Sequence, residues 1–393
     1  MLFLDTNAIT EKGSEGLSEC LKNKQDLRVF NIDNNAIGPK GAINLSAQLT
    51  TNYGLSKLYC DSNDIGEEGA EAIAECMEMM DSLKKICLEN NNIRDRGVVA
   101  LARALDENDT LLSLYLENNG ITAVGAKEIG QVLSNKYKLS KINLNNNPLK
   151  DEGIKSIAQG LVDNDTLRVI LLQNLGLTSN SIPQLSGCLQ NKKFLTKLLL
   201  DGNVIGVEGA RALANGIKDN ETLTNLHLSD CLILEDGAQA LSKALENKRN
   251  LLVLDLNNNK IMSDGCIAIC KAIQTQSTLR ELLLSQNYIG PGGARAVSKV
   301  LANKKYITEL GLNGNGIFAE GAVALGQSLK DKKYLEVFNL KKNEIGLQGI
   351  KTLEDCLALS KTIKELNLSG NNIGDEGLEI VLKALANKKK QSL

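Results

Sequence analysis

Between Leu83 and Gly97 the chain reads LKKICLENNNIRDRG, with apolar residues at 83, 86, 88 and 93, asparagine at Asn91 and glycine at Gly97. The skeleton returns 28 residues earlier as Leu55, Leu58, Cys60, Asn63, Ile65 and Gly69, and 28 later as Leu111, Leu114, Leu116, Asn119, Ile121 and Gly125. Its first apolar position recurs from 27 to 363 without an insertion, and Leu2, Leu4, Asn7 and Ile9 belong to an earlier copy, making fourteen repeats. Leu111 to Leu116 reads as a short strand, in which Leu114 and Leu116 turn to one side and the residues between the motif positions to the other, because successive strand side chains face opposite sides. GAEAIAECM, Gly69 to Met77, carries apolar residues at helical spacing and predicts a helix. Neighbouring parallel strands need about 4.8 Å and packed helices about 8–10 Å, so such an array curves with its strands inside.

Two polar positions are nearly fixed. The motif asparagine is kept in twelve of fourteen repeats, with Leu175 and Cys231 as the exceptions. Its amide is expected to satisfy backbone groups leaving the strand. Glycine starts thirteen helices, from Gly13 to Gly377, where a side chain is expected to obstruct a tight bend; Ser181 is the exception. Leu175, Ser181 and Pro183 fall in one repeat, which predicts a local irregularity inside a single domain spanning 1–393. Lysine-rich stretches, Asn191–Lys193 and Asn303–Lys305, close helices where cations suit the dipole.

If the Leu and Ile residues of each strand point to the core, the letters between them line one inner wall in columns. Before the second Leu run Lys57, Lys85 and Lys141; centrally Phe3, Asn31, Tyr59, Cys87, Tyr115, Asn143, Leu171, Leu199, His227 and Asp255. Beyond them run Asp5, Asp33, Asp61, Glu89 and Glu117. Like charges in successive repeats repel one another, and tyrosine is enriched where partners bind. The candidate partner-binding set is therefore Lys57, Tyr59, Asp61, Lys85, Cys87, Glu89, Tyr115 and Glu117, facing a protein with a basic surface. Leu171, Leu199 and Leu283 form a lesser apolar candidate. Cys87 faces inward as a candidate reactive thiol, with Glu89 expected to raise its pKa.

Composition narrows the classes. With 45 Lys and Arg against 47 Asp and Glu, the net charge of −2 favours neither nucleic acid nor an anionic membrane. Of nine cysteines, Cys20, Cys76, Cys188 and Cys356 share one repeat register and are expected to be small buried helix residues. The odd count and the lack of a leader point to a reducing, cytoplasmic setting. Neither end carries a polar cap, so flanking sequence or a partner is expected there. His227 is the only histidine and shares its column with Asp255, a pairing expected to be a surface contact, not catalytic machinery. Cys266 and Cys270, four apart on a helix, sit at small-residue core positions, so no metal site and no cofactor is expected.

The motif LxxLxLxxNxIxxxG, followed by helices such as Ala100–Leu105 and Ala324–Leu329, resembles the ribonuclease-inhibitor-type leucine-rich repeats. It is most similar to the uniform arrays of NOD-like receptor proteins, although no nucleotide-binding module precedes it. Ribonuclease inhibitor alternates two repeat lengths; here only a two-repeat rhythm survives, with NDT or NET at Asn108, Asn164 and Asn220 and NK at Asn135, Asn191 and Asn247. The resemblance implies an α/β leucine-rich-repeat horseshoe, strands concave and helices convex, working as a non-catalytic intracellular scaffold, sensor or inhibitor. A GTPase-activating protein similar to the one acting on Ran is the alternative, through a rim loop holding Arg94 and Arg96. That family's arginine loop is not matched, and lysines, Lys388–Lys390, stand where it carries an acidic tail. The oligomeric state does not follow from the sequence.

Overall fold

The computed structural model describes residues 1–390 apart from 23, 191, 305, 330, 331, 333, 360 and 361; the side chains of 355, 356, 359, 385 and 387–390 also lie outside the described set. Asn191, Lys305, the Cys356 side chain and the Lys388–Lys390 side chains, all singled out above, therefore fall outside it. Fourteen strand–helix repeats run from β1 (Leu2–Phe3) and α1 (Glu11–Leu21) to β14 (Glu365–Asn367) and α14 (Gly374–Lys390). They divide into two compact units, Met1–Leu199 and Leu200–Leu393. In the first, β1 to β8 (Lys197–Leu199) pair in sequence order, every pair parallel. In the second, β9 (Asn225–His227) to β14 do the same. This is the expected α/β repeat solenoid, each unit an arc with parallel strands on the concave side and helices on the convex side.

Strand phase follows the pattern. In β3 (Lys57–Tyr59), β4 (Lys85–Cys87) and β5 (Ser113–Tyr115), the central Leu58, Ile86 and Leu114 are buried. Register carries Tyr59 onto Cys87 and Cys87 onto Tyr115. Inward of the helices, α3 (Gly66–Glu78) buries Gly69, Ala70, Ile73, Ala74, Cys76 and Met77, a stripe one face wide.

The motif asparagines form a buried ladder. Asn91 Nδ2 donates to the carbonyls of Cys60 and Glu89, and Asn91 Oδ1 accepts from the backbone N–H of Asn63. Each amide so pairs groups that leave one strand and enter the next turn, as the sequence implied. Cys231 keeps part of this, its thiol donating to the Leu200 carbonyl at 3.3 Å.

The glycines of the Gly13–Gly377 row have a different role from the one expected. A Cβ on Gly69 would stand 2.5 Å from Ile65 Cγ2 and 2.9 Å from Ala42 Cβ, so the row permits close approach of consecutive helices. The bend itself is made three residues earlier, in the left-handed region, at Gly38 (φ 62°) and Gly66 (φ 66°), and at Arg94 (φ 54°) with a side chain. Ser181 is accommodated because its hydroxyl donates to Asp151 Oδ1 at 2.6 Å. The expected irregularity is present there: α7 (Ile182–Leu189) has 8 residues, the shortest helix described, with Pro183 in its first turn.

The lysine-rich loops also act differently. The Lys304 ammonium is buried and donates to the carbonyls of Ile273, Gln274 and Gln276, at the end of α10 (Met262–Ile273). It caps the helix of the preceding repeat and not its own. Lys136, Lys192 and Lys248 donate likewise to Asp106, Asn164 and Lys218 carbonyls. Asn108 performs the same task with a neutral amide, on Met77 and Met80, as does Gln276 on Leu245. The two-repeat rhythm of the loops is thus one capping position filled alternately by amide and ammonium. Burial pushes Lys248 and Lys304 down to about 8, which leaves both charged at neutral pH beside the negative helix end.

Of the cysteines expected to be buried on helices, Cys76 and Cys188 are. Cys20, on α1, is exposed.

Candidate functional site

The inner wall of the first unit gathers most of the expected set. Lys85 Nζ lies 4.6 Å from the Tyr59 ring centroid and 4.7 Å from that of Tyr115, held between the two faces. Lys141 Nζ stands 4.5 Å from Tyr115 on its far side. A cation over an aromatic face is attracted by the ring quadrupole, so rings and ammonium groups order one another. Tyr59 and Tyr115 are half-buried, Lys57 exposed. Lys85 and Lys141 therefore serve the aromatic column as well as offsetting the acids.

Cys87 corrects the expectation of an inward-facing reactive thiol. Its column is right, but it is only 4% exposed, at the base between the two tyrosines of the neighbouring strands. Burial first, then the nearby Asp61 carboxylate, pushes the thiol up to about 12. It is a floor for the tyrosine–lysine stack and not a nucleophile at neutral pH.

The acidic column is tied to the wall. Asp33 Oδ1 accepts from the Asp61 N–H at 2.7 Å, and Asp61 Oδ1 accepts from the Glu89 N–H at 2.6 Å. Asn143 Nδ2 donates to both Glu89 and Glu117, and Asn146 Nδ2 donates to Glu117 at 2.6 Å. Even so, burial, reinforced by Asp33 and Glu89, raises Asp61 from 3.8 to about 7. Burial also raises Glu89, with the Glu117 charge adding to it. A cation brought to this column would relieve that repulsion.

The lesser candidates separate. Leu171 and Leu199 are register neighbours in the first unit, both half-buried, while Leu283 lies in the second. Arg96 is held by Glu71 through two bonds of 2.7 and 2.8 Å, and Arg94 donates to Asn92. Cys266 and Cys270 lie with sulfurs 3.9 Å apart, both buried.

One grouping escaped the sequence reading. In the second unit, His227 Nδ1 and Asp255 Oδ2 are 3.8 Å apart, and Asp201 joins them so that one donor atom from each lies within 4.8 Å of the others. Asp201 stands one column away from the other two, so reading down columns could not find it; reading diagonally across adjacent repeats could. Burial, then the charges of Asp201, Asp230 and Glu309, raises Asp255 to about 6.

Residues 23–46, 82–102, 107–130, 138–158, 191–214, 247–270 and 359–379 match the profile described as Leucine Rich repeat. These are leucine-rich repeats. No curated protein matches the chain. Among solved structures, the chain is similar to one in the complex of Rad7 and Elc1 from yeast, at 16% identity and a TM-score of 0.59, over 93% of this chain and 85% of that one. That likeness is one of fold. Shorter matches, at a TM-score of 0.34, are the actin-binding site 2 of leiomodin-1 (17% identity, 40% of this chain, 90% of that one) and the tropomodulin C-terminal domain of Caenorhabditis elegans (15%, 39% and 95%). No helix among the described residues is long and apolar enough to cross a membrane.

Proposed function

We propose that this leucine-rich-repeat chain is a non-catalytic protein-interaction module that seats a partner with a basic surface on the inner strand wall of its first unit. The observation that carries the reading is the half-exposed Tyr59–Lys85–Tyr115 stack, bordered by Asp61, Glu89 and Glu117. Two ordered aromatic rings offer contact area at little entropic cost, and the crowded carboxylates gain when a cation docks beside them. Leucine-rich repeats themselves suggest an interaction module, and the chain of similar fold comes from a two-protein complex. Eight free thiols among the described residues suit a reducing, cytoplasmic setting.

The test reverses the charge of the acids. Asp61→Lys, Glu89→Lys and Glu117→Lys, combined in the full chain, should weaken capture of a cellular partner by roughly tenfold or more at low salt. The loss should shrink as salt rises. Retention of the partner with equal affinity at both salt concentrations would rule out this surface.

A further inference from the structure

The wall of the second unit differs in chemistry from that of the first. Where the first places tyrosine, cysteine and asparagine in the central column, the second places the single histidine, His227, directly beside Asp255 in register. Asp201 approaches from the adjacent column, so three successive repeats each contribute one side chain. We propose that Asp201, His227 and Asp255 form a binding site for a first-row divalent cation, with Zn²⁺ the best-matched ion.

The donor set is one imidazole nitrogen and two carboxylate oxygens, which suits borderline divalent ions and not a soft thiolate-seeking one. Bonds of about 2.1 Å place donor atoms roughly 3–3.5 Å apart around such an ion. His227 and Asp255 stand 3.8 Å apart and all three donor atoms lie within 4.8 Å of one another, so an ion would draw them slightly closer together.

Both carboxylates are already oriented by the backbone. The Ser229 N–H donates to Asp201 Oδ1 at 2.6 Å, and the Asn257 N–H donates to Asp255 Oδ1 at 2.9 Å, which turns Oδ2 of Asp255 toward the imidazole. Outer hydrogen bonds of this kind fix ligand geometry in metal sites. The His227 and Asp255 side chains remain 23% and 13% exposed, enough for an ion to enter and for water to complete its coordination.

A single histidine makes the test specific, because the imidazole signal in a ¹H–¹⁵N spectrum of the chain comes from His227 alone. Titration of the full chain with ZnCl₂ should move that signal to a metal-bound position at one equivalent. Asp255→Asn, with unchanged circular dichroism, should weaken binding by at least about tenfold, whereas Asp264→Asn on the helix side should leave it as it is. His227→Gln, followed by calorimetry, should remove one equivalent of binding. Zn²⁺ uptake with the imidazole signal unmoved would place the ion elsewhere on the chain and overturn the proposal. Equal affinity in Asp255→Asn, or no binding below about 1 mM, would overturn it as well.

Discussion

At the scale of the residue, burial decides what each inward-facing side chain can do. Cys87 and Tyr115 occupy the same column, yet one is sealed and the other half-open, because a small thiol lies below the level of the rings on either side. Phase is a property of position and was legible in the sequence. Depth depends on neighbours 28 residues away in both directions, and so was not. Asp61 shows the same dependence through its protonation. Its folded value near 7 lies above the 3.8 of an unhindered aspartate. Between those values the folded chain holds a proton that the unfolded chain has released. This contribution to stability is therefore complete below 3.8 and is lost as pH rises through about 7. Asp61→Asn keeps an acceptor for the Glu89 N–H and removes the titration. Urea midpoints measured at pH 5 and pH 8 should differ less in Asp61→Asn than in the parent chain, with the parent losing more stability on going to the higher pH.

At the scale of the element, the decisive interactions cross from one repeat to the next. Strand, turn and helix were all readable from spacing, because each periodicity is local. The capping lysines were readable only in part. Charge at a helix end was expected, but the long lysine stem reaches back to the preceding helix, as Lys304 does to Ile273, and sequence position alone gives no sign of that direction. Lys304→Met should leave buried helix-end carbonyls unpaired and cost about 1–3 kcal/mol. Lys304→Gln should cost less, because Gln276 already donates to the Leu245 carbonyl from the equivalent position. Thermal or urea denaturation of the two variants checks the order; equal losses would show that packing of the stem, and not the polar cap, accounts for the effect.

At the scale of the whole molecule, one repeat grammar supports two differently furnished inner walls. The first unit sets tyrosine faces and a held lysine beside carboxylates; the second sets a histidine between two aspartates. The fold was almost fully legible because the same constraints recur fourteen times. The sites were less so: they depend on single departures from the repeat, and on diagonal neighbours such as Asp201 and His227. The claim that the strand wall of the first unit is the binding surface has a direct measurement. A photo-crosslinking residue placed at Tyr115, and separately at the exposed helix residue Val124, is irradiated in the cell that makes the protein. A discrete protein adduct is expected from position 115 and none from position 124. An adduct from 124 with none from 115 would contradict the claim.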